Sequence, residues 1–273
     1  MKPLLSRKYG HLNAFSKTTH KRVFGFLRML SALAVVAFLT SGCASNEEFD
    51  LATNIKDAYT DAQHAVEVGN YRKAIAIFEG LQARFPFSDF STQIQLELAY
   101  AYYKDGRVEQ AIDAADTFLR ENPTHARVDY AIYIKGIAYF AREQGWLERV
   151  FRKDIDKRPP RDGEIAFSLL SRLVERYPAS PYAPDAQQRM IYLKNRLASY
   201  ENQVARFYIE RGAYVAALNR AKVAIETYHG ADSGADSLRI MIISYEGLGM
   251  MGLAEDTRRV LEKNFSEDPL ARN

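Results

Sequence analysis

From about residue 55 to the end of the chain, apolar residues recur at the three- and four-residue spacing of amphipathic helices. No segment sustains the alternation of apolar and polar residues that is typical of a β-strand. The apolar runs are separated by short breaks with glycine, asparagine or proline, such as those at Gly106 and Pro123. The pattern therefore predicts an all-α protein of about ten helices.

The predicted helices recur in pairs that share a register. The second helix of each pair begins with a small residue, at Ala74, Ala111, Ala166, Ala217 and Ala254. Twelve residues after the first three of these stands a proline that ends the helix, at Pro86, Pro123 and Pro178. This pattern resembles the tetratricopeptide repeat. It predicts a right-handed solenoid of five tetratricopeptide-like helix pairs.

Units 3 and 4 are longer than the others. The helix pairs are predicted at about 56–68 and 71–85, 91–104 and 107–121, 125–141 and 163–176, 183–210 and 213–228, and 234–248 and 251–264. Unit 3 carries an insertion at 141–163. We therefore expect repeats 1–3 over residues 55–180, repeats 4 and 5 over 181–265, and a tail over 266–273.

The first 42 residues differ from the rest of the chain. They contain seven basic residues and no acidic one, and they include an apolar run at 29–39. Eleven helical residues span roughly 16 Å, about half of a bilayer core, so the run predicts a signal peptide over 1–42 and not a membrane span. The remaining residues include 30 basic against 34 acidic side chains. That balance gives no electrostatic reason to expect nucleic acid binding.

Cys43 is the only cysteine of the chain, and small residues precede it. The segment resembles the lipobox of bacterial lipoproteins, although Thr40 stands where leucine is common. The resemblance implies N-palmitoyl and S-diacylglycerol groups on Cys43, followed by a tether over 43–54. Several acyl chains together hold a protein stably at a membrane. Because Ala44 is not the aspartate that retains such proteins in the inner membrane, the resemblance favours the periplasmic face of the outer membrane.

The sequence contains no catalytic constellation that we recognise. His64, His125 and His229 are scattered without the spacing of metal ligands. The glycines at 247–252 match the letters of a dinucleotide-binding fingerprint, which requires a preceding strand and an acidic residue about 20 positions later. The repeat register predicts a helix turn there instead. We expect a protein that is not an enzyme and binds no cofactor or metal.

The first helices of tetratricopeptide repeats line a groove, at positions that can be counted from the repeat register. In repeats 1–3 these positions are mostly aromatic or apolar: Tyr59, Leu96, Tyr100, Tyr103, Tyr130, Tyr133, Ile137 and Phe140. Tyrosine offers a large contact area with a hydrogen-bonding tip, which suits an extended or short amphipathic peptide. The alternative is that these side chains only pack between repeats. In repeats 4 and 5 the same positions are mostly charged.

The insertion contains the only tryptophan of the chain, Trp146, together with Phe151 and a mixed charge run. Loops of this length are often functional or disordered. We expect Trp146 and Phe151 to anchor the insertion against the solenoid. The alternative is that the insertion covers the groove or contacts a partner.

Several segments, among them 71–75, 84–87, 95–104, 122–125, 193–200 and 210–214, resemble the BamD (ComL) family of lipoproteins. The similarity covers about residues 55–265 and includes the insertion. It implies an outer-membrane lipoprotein that binds the periplasmic POTRA region of BamA through its C-terminal repeats, alongside other Bam lipoproteins. It also implies recognition of the C-terminal signals of unfolded β-barrel proteins by the N-terminal repeats. Arg220 matches a family arginine at the BamA contact, and Arg211 lies in a neighbouring matching segment.

Two alternatives remain at this point. One is a tetratricopeptide pilotin lipoprotein that assists the assembly of a type IV pilus secretin, against which the insertion in unit 3 argues. The other is a periplasmic enzyme such as a peptidoglycan hydrolase, which would need carboxylates or a nucleophile converging in a cleft.

Overall fold

The structure is a computed structural model that describes residues 55–88, 90–143 and 159–265. These residues form ten helices and no strand: α1 Ile55–Glu67, α2 Tyr71–Arg84, α3 Ser91–Lys104, α4 Val108–Glu121, α5 Val128–Glu143, α6 Arg161–Arg176, α7 Ala183–Ile209, α8 Tyr214–Thr227, α9 Gly234–Gly247 and α10 Met251–Asn264. Every predicted helix is present. The largest difference is that α5 begins at Val128 and not at 125, because the His125 ring accepts the Arg127 N–H and holds a turn.

The helices pack in chain order. Each one contacts the helix before it and the helix after it, and the first helices of neighbouring units also touch, α3 with α5 and α7 with α9. Contact between neighbouring units is the organisation of a repeat stack. The all-α stack of five helix pairs that the sequence predicts is confirmed.

The small residues of the repeat register lie where the two helices of a unit cross. The five alanines that open the second helices are all buried, with at most 2% of their surface exposed. In unit 3, a Cβ atom at Gly136 of α5 would come within 2.7 Å of the Leu170 side chain of α6. Larger side chains at these positions would force the helices apart.

Glycine ends the first helix of several units. Gly106 after α3 has a φ of 80°, a conformation that side-chain-bearing residues rarely adopt. The backbone N–H of Arg107 then donates to the Tyr102 carbonyl, which satisfies one of the free carbonyl groups at the helix end. The 247–252 segment is a turn of the same kind between α9 and α10, and the Tyr214 ring packs against Gly247. The predicted helix turn is confirmed, and no strand precedes these glycines.

The long helix α7 contributes to an apolar part and to a polar part of the core. Its first half contributes Leu193 and Leu197 to the largest apolar cluster, which extends from α3 to the turn after α8. Further along, buried polar residues of α7 face α8 and α9. Asn202 accepts a hydrogen bond from Ser237 at 2.8 Å, and Glu201 pairs with Arg220 at 3.2 Å. We call these residues, Glu201, Asn202, Arg220 and Ser237, the polar seam.

The signal peptide, Cys43 and its tether, Trp146 and Phe151 of the insertion, and the tail at 266–273 lie outside the described residues. The two ends of the insertion that the structure does describe are tied together. Arg142 pairs with both Glu109 and Asp162, at 2.8 Å and 2.6 Å. Glu143 accepts the Gly163 N–H at 3.2 Å.

Within the described ranges, no helix combines the length and the apolar composition that crossing a membrane requires.

Candidate functional site

Aromatic residues of neighbouring repeats contact one another in pairs, in repeats 1 and 2 and again in repeats 3 and 4. Tyr59 of α1 lies 5.2 Å, between ring centroids, from Phe90, the residue before α3. Tyr133 and Tyr130 of α5 lie 4.8 Å and 5.0 Å from Tyr182, the residue before α7. In both places the residue directly before a first helix packs its ring against tyrosine of the preceding unit, at distances typical of favourable aromatic pairs. We call the following residues the tyrosine face: Tyr59, Tyr100, Tyr103, Tyr130, Tyr133 and Tyr182.

The tyrosine face is only partly open. Tyr59 and Tyr130 are buried, with 8% and 9% of their surface exposed, whereas Tyr100, Tyr103 and Tyr133 are half-buried. The rings of the first two therefore contribute to packing between repeats, as the alternative interpretation of the sequence expected. The other three keep part of their surface for contact with another molecule.

Three further residues that were predicted to line the groove are also buried. Leu96 is fully buried and Ile137 is 3% exposed, and both belong to the main apolar cluster. They are core residues and do not line a groove, because their side chains pack against the other helices of the stack. Phe140 is 7% exposed, and its ring is covered by Arg189 at 5.0 Å and by Tyr192 at 5.6 Å.

Tyr133 belongs to a charged network that the sequence did not indicate. Its hydroxyl donates to Asp185 at 2.7 Å, and Arg189, one turn along α7, donates to the same carboxylate at 2.6 Å. Burial acts to raise the pKa of Asp185, but the hydrogen bonds from Arg189 and Tyr133 outweigh it and lower that pKa. Burial and the bond to Asp185 raise the pKa of Tyr133, so its hydroxyl remains a donor.

Other polar groups of the tyrosine face have no partner in the described part of the chain. The hydroxyls of Tyr100, Tyr103, Tyr130 and Tyr182 make no hydrogen bond to any described residue. By contrast, the hydroxyls of Tyr133 and of Tyr102 donate to carboxylates, and the Tyr59 hydroxyl accepts a hydrogen bond from Gln63. These four hydroxyls thus keep their capacity to donate and accept hydrogen bonds.

Two charged residues, Glu97 and Arg127, flank the same rings. Burial raises the pKa of Tyr59 to about 12 and also raises that of Tyr130. The Glu97 carboxylate raises both pKa values further, whereas the Arg127 guanidinium lowers both. The two opposite charges therefore act on the same two tyrosines.

The charged residues of repeats 4 and 5 pair mainly with one another. Arg206 forms an ion pair with Asp236, and Glu246 pairs with Arg258 at 2.7 Å. Asn202, also predicted to face a groove, is 1% exposed and belongs to the polar seam. The groove of these repeats is consequently less available to a ligand than its composition indicated.

The two residues predicted to contact a partner have different environments. Arg220 is half-exposed and pairs with Glu201, whose side chain is only 7% exposed. It is therefore more than a solvated helix charge, because it neutralises a carboxylate that is nearly buried. Arg211 is exposed in the turn after α7, where its guanidinium lies 3.5 Å above the Phe207 ring.

Sequence reasoning missed Arg127, Tyr182, Asp185 and Arg189, all in or directly before a first helix. A signal for two of them exists in the repeat register. Four residues after the closing prolines 86, 123 and 178 stand Phe90, Arg127 and Tyr182. Asp185 and Arg189 give no comparable signal, because their role depends on how α7 approaches α5.

A cavity of about 260 Å³ lies between α2, α3 and α4. Its lining combines polar and apolar side chains: Gln82, Gln95, Leu98, Tyr102, Gln110, Asp113, Ala114 and Thr117. Across the described residues, no group of three or more histidine, cysteine, aspartate or glutamate side chains could hold a metal ion. The tyrosine face is therefore the candidate site that we develop further.

The tyrosine face and the polar seam both fall within one family profile. The profile described as YfiO, outer membrane lipoprotein, matches residues 52–261. A protein of Neisseria gonorrhoeae called outer membrane protein assembly factor BamD is 39% identical over 238 residues, which is 87% of this chain and 89% of its own length. This chain belongs to the BamD family. The family expected from the sequence is confirmed.

Other BamD proteins match over similar lengths. The Vibrio cholerae BamD is 36% identical and covers 86% of this chain and 97% of its own length. The Haemophilus influenzae BamD is 32% identical and covers 85% of this chain and 89% of its own length. Among solved structures, TTC0263, a thermophilic TPR protein of Thermus thermophilus, is 16% identical with a TM-score of 0.37 over 80% of this chain and 95% of that one. That similarity is too distant to support an argument.

Proposed function

We propose that this BamD-family chain is a non-enzymatic lipoprotein subunit of the machinery that assembles β-barrel proteins in the outer membrane. Its relatives are named outer membrane protein assembly factors, and they share most of its length. The stack of helix pairs is an architecture that presents extended binding surfaces. Lipid on Cys43 would hold the chain at the periplasmic face of the outer membrane.

We propose that the tyrosine face binds the C-terminal signals of unfolded outer-membrane proteins. The observation that carries this proposal is the set of four neighbouring tyrosine hydroxyls without a partner in the described residues. An extended apolar chain that ends in an aromatic residue presents unpaired backbone groups as well as rings. The hydroxyls would bind the backbone groups, and the half-buried rings would pack against the side chains.

The test removes hydroxyls without removing rings. Tyr100→Phe combined with Tyr103→Phe should weaken binding of a barrel C-terminal peptide by about tenfold, since each lost hydrogen bond contributes about 0.5–1.5 kcal/mol. Tyr133 is left unchanged because its hydroxyl already serves Asp185. The control is Tyr102→Phe on the same helix, whose hydroxyl donates to Glu79 at 2.6 Å, away from the tyrosine face.

Fluorescence anisotropy with a labelled peptide would measure the affinities, and circular dichroism would confirm that each variant stays helical. An equal affinity for the double variant and the wild type would remove the hydroxyls from the proposal. A loss as large in the control as in the double variant would show that the effect comes from stability.

We further propose that repeats 4 and 5 bind the POTRA region of BamA, with Arg220 and Arg211 at the contact. The support is the family resemblance together with the exposure of both side chains. Arg220 also neutralises Glu201. A charge reversal at Arg220 could therefore reduce BamA binding through a loss of stability and not through the contact itself. Arg220→Gln combined with Glu201→Gln removes both charges at once and is the sharper variant.

The double variant should co-purify with BamA less than the wild type does, while its thermal unfolding stays close to that of the wild type. Arg211→Gln should reduce recovery further when it is added. If the protein that carries Arg220→Gln, Glu201→Gln and Arg211→Gln still recovers BamA fully, these arginines do not contribute to the contact.

The lipid assignment has a separate test. Cys43→Ser should leave the unprocessed, unacylated precursor, because no other cysteine can replace the thiol. Palmitate labelling of the variant at the wild-type level would refute the assignment.

A further inference from the structure

Arg127 is a half-buried cation without an ionic partner among the described residues. It lies directly before α5, and its guanidinium carbon is 4.6 Å from the centre of the Tyr130 ring. No carboxylate of the described ranges forms an ion pair with it. Arg189, on the same side of the stack, is by contrast neutralised by Asp185 at 2.6 Å. A partly buried charge that stacks on an aromatic ring without a counter-charge is well placed for an anionic ligand.

Glu97, an acidic residue that acts on the same rings as Arg127, has a different partner. Glu97 accepts a hydrogen bond from the Gln93 side chain at 2.7 Å. Its charge and that of Arg127 act in opposite directions on the pKa values of Tyr59 and Tyr130, so both lie close to these rings. They do not pair with each other within 4 Å. A cation and an anion therefore both lie near Tyr59 and Tyr130 without forming an ion pair.

This arrangement selects among anions. The planar fork of a guanidinium matches the two oxygens of a carboxylate. A dianionic phosphate would meet stronger repulsion from Glu97 than a carboxylate with a single charge. A carboxylate at a chain end also brings backbone N–H groups, which can donate hydrogen bonds to Glu97 and to the tyrosine hydroxyls.

We propose that Arg127 binds the free α-carboxylate of a polypeptide whose last residues lie on the tyrosine face. This inference rests on the proposed function and names the group of the ligand that fixes its position. Arg127 then acts as the end stop of the site, and the unpartnered hydroxyls bind the residues that precede the terminus.

Lys104 is the competing cation. Its ammonium lies 5.7 Å and 6.0 Å from the ring centres of Tyr71 and Tyr100, at the far end of α3. It is exposed, and an ammonium is a point charge without the paired donors of a guanidinium. We therefore assign the carboxylate to Arg127 and use Lys104 as the matched comparison.

The experiment measures binding of one nonapeptide with alternating apolar residues and a C-terminal phenylalanine, made as the free acid and as the carboxamide. The wild type should bind the acid about tenfold more tightly than the amide, because a charge-assisted hydrogen bond is lost with the carboxylate. Arg127→Gln should bind both forms with the affinity that the wild type has for the amide. Lys104→Gln should keep the preference for the acid. The same is expected of Arg259→Gln, a control on α10, where Arg259 pairs with Asp256.

A third peptide, amidated and with glutamate in place of an internal residue, separates the two sources of a carboxylate. If it recovers the affinity of the free acid through Arg127, a side-chain carboxylate is bound and the proposal is wrong. A preference for the acid that persists in Arg127→Gln, or that disappears in Lys104→Gln, also overturns it. If the wild type binds the acid and the amide equally, Arg127 does not bind the carboxylate, but the proposal that the tyrosine face binds peptides is unaffected. If the wild type binds neither peptide, both proposals are wrong.

Discussion

The tyrosine face and the polar seam both place polar side chains on the first helices of repeats, but the two regions treat these groups differently. On the tyrosine face, four hydroxyls and the Arg127 guanidinium have no hydrogen-bonding or ionic partner among the described residues. In the polar seam, Asn202 and Ser237 bond to each other, and Arg220 bonds to Glu201. Polar groups that satisfy one another stabilise a fold, whereas unsatisfied ones at a half-open surface favour a ligand. Repeats 1–4 therefore present polar groups without a partner in the described residues, whereas the polar groups of the seam in repeats 4 and 5 bond to one another.

The largest effect is expected where a charge of the seam is reversed. Arg220→Glu places a second carboxylate beside Glu201, whose side chain is 7% exposed. A fully buried pair costs about 3–5 kcal/mol to break, and we expect about 3 kcal/mol here because Arg220 is partly exposed but the repulsion is added. Urea unfolding would measure it. Arg220→Gln with Glu201→Gln should recover most of the lost stability. An Arg220→Glu protein as stable as the wild type would show that the seam tolerates two neighbouring carboxylates.

A smaller effect is expected from the uncharged half of the seam. Asn202→Ala removes the side chain that accepts from Ser237 and donates to the Ser233 carbonyl, at a site that is 1% exposed. We expect a loss of about 2 kcal/mol in the free energy of unfolding. The control is Asn195→Ala, on the same helix as Asn202. Asn195 donates an exposed hydrogen bond to Asp232, and its loss should change stability by no more than about 0.5 kcal/mol. Equal losses would mean that burial does not distinguish the two asparagines.

Substitutions on the tyrosine face should change the stability of the fold less than those in the polar seam. Tyr133→Phe removes the half-buried hydrogen bond to Asp185, and we expect a loss of about 1 kcal/mol. Tyr103→Phe removes a hydroxyl without a described partner and should leave thermal stability unchanged. If Tyr103→Phe is the more destabilising of the two, its hydroxyl serves the fold and not a ligand.

The smallest effect concerns pH. The pKa of Asp185 is lowered in the folded chain, where its hydrogen bonds with Arg189 and Tyr133 outweigh burial. Such a carboxyl binds fewer protons when folded than when unfolded, so its stabilisation is present above its unfolded pKa of about 4 and is lost as the pH falls through its folded pKa. Asp185→Asn should be less stable than the wild type at about pH 7. That difference should shrink as the pH falls from about 5 to about 3, and a difference that grows on acidification would contradict the assignment.

Helix bounds and repeat register followed from the sequence because they depend on local chemistry. Glycine after α3 and the prolines that close α2, α4 and α6 act within a few residues of their position. The five alanines of the second helices could likewise be identified, because a close helix crossing requires a small residue wherever it recurs. The expectation failed for Leu96 and Ile137. Counting positions assumes an identical groove in every repeat, and neighbouring side chains decide which positions stay open.

The helices, their pairing and the family could be predicted from the chain alone, since periodicity, helix ends and repeat spacing are local features of the sequence. Which polar groups of the stack are satisfied emerged only from the packing of the helices. Tyr133 meets Asp185 across 52 positions and Arg220 meets Glu201 across 19, whereas Arg127 stacks on Tyr130 and meets no carboxylate of the described residues. The physical reason is that hydrogen bonds and ion pairs depend on distances of a few ångströms between helices, which a one-dimensional pattern does not specify.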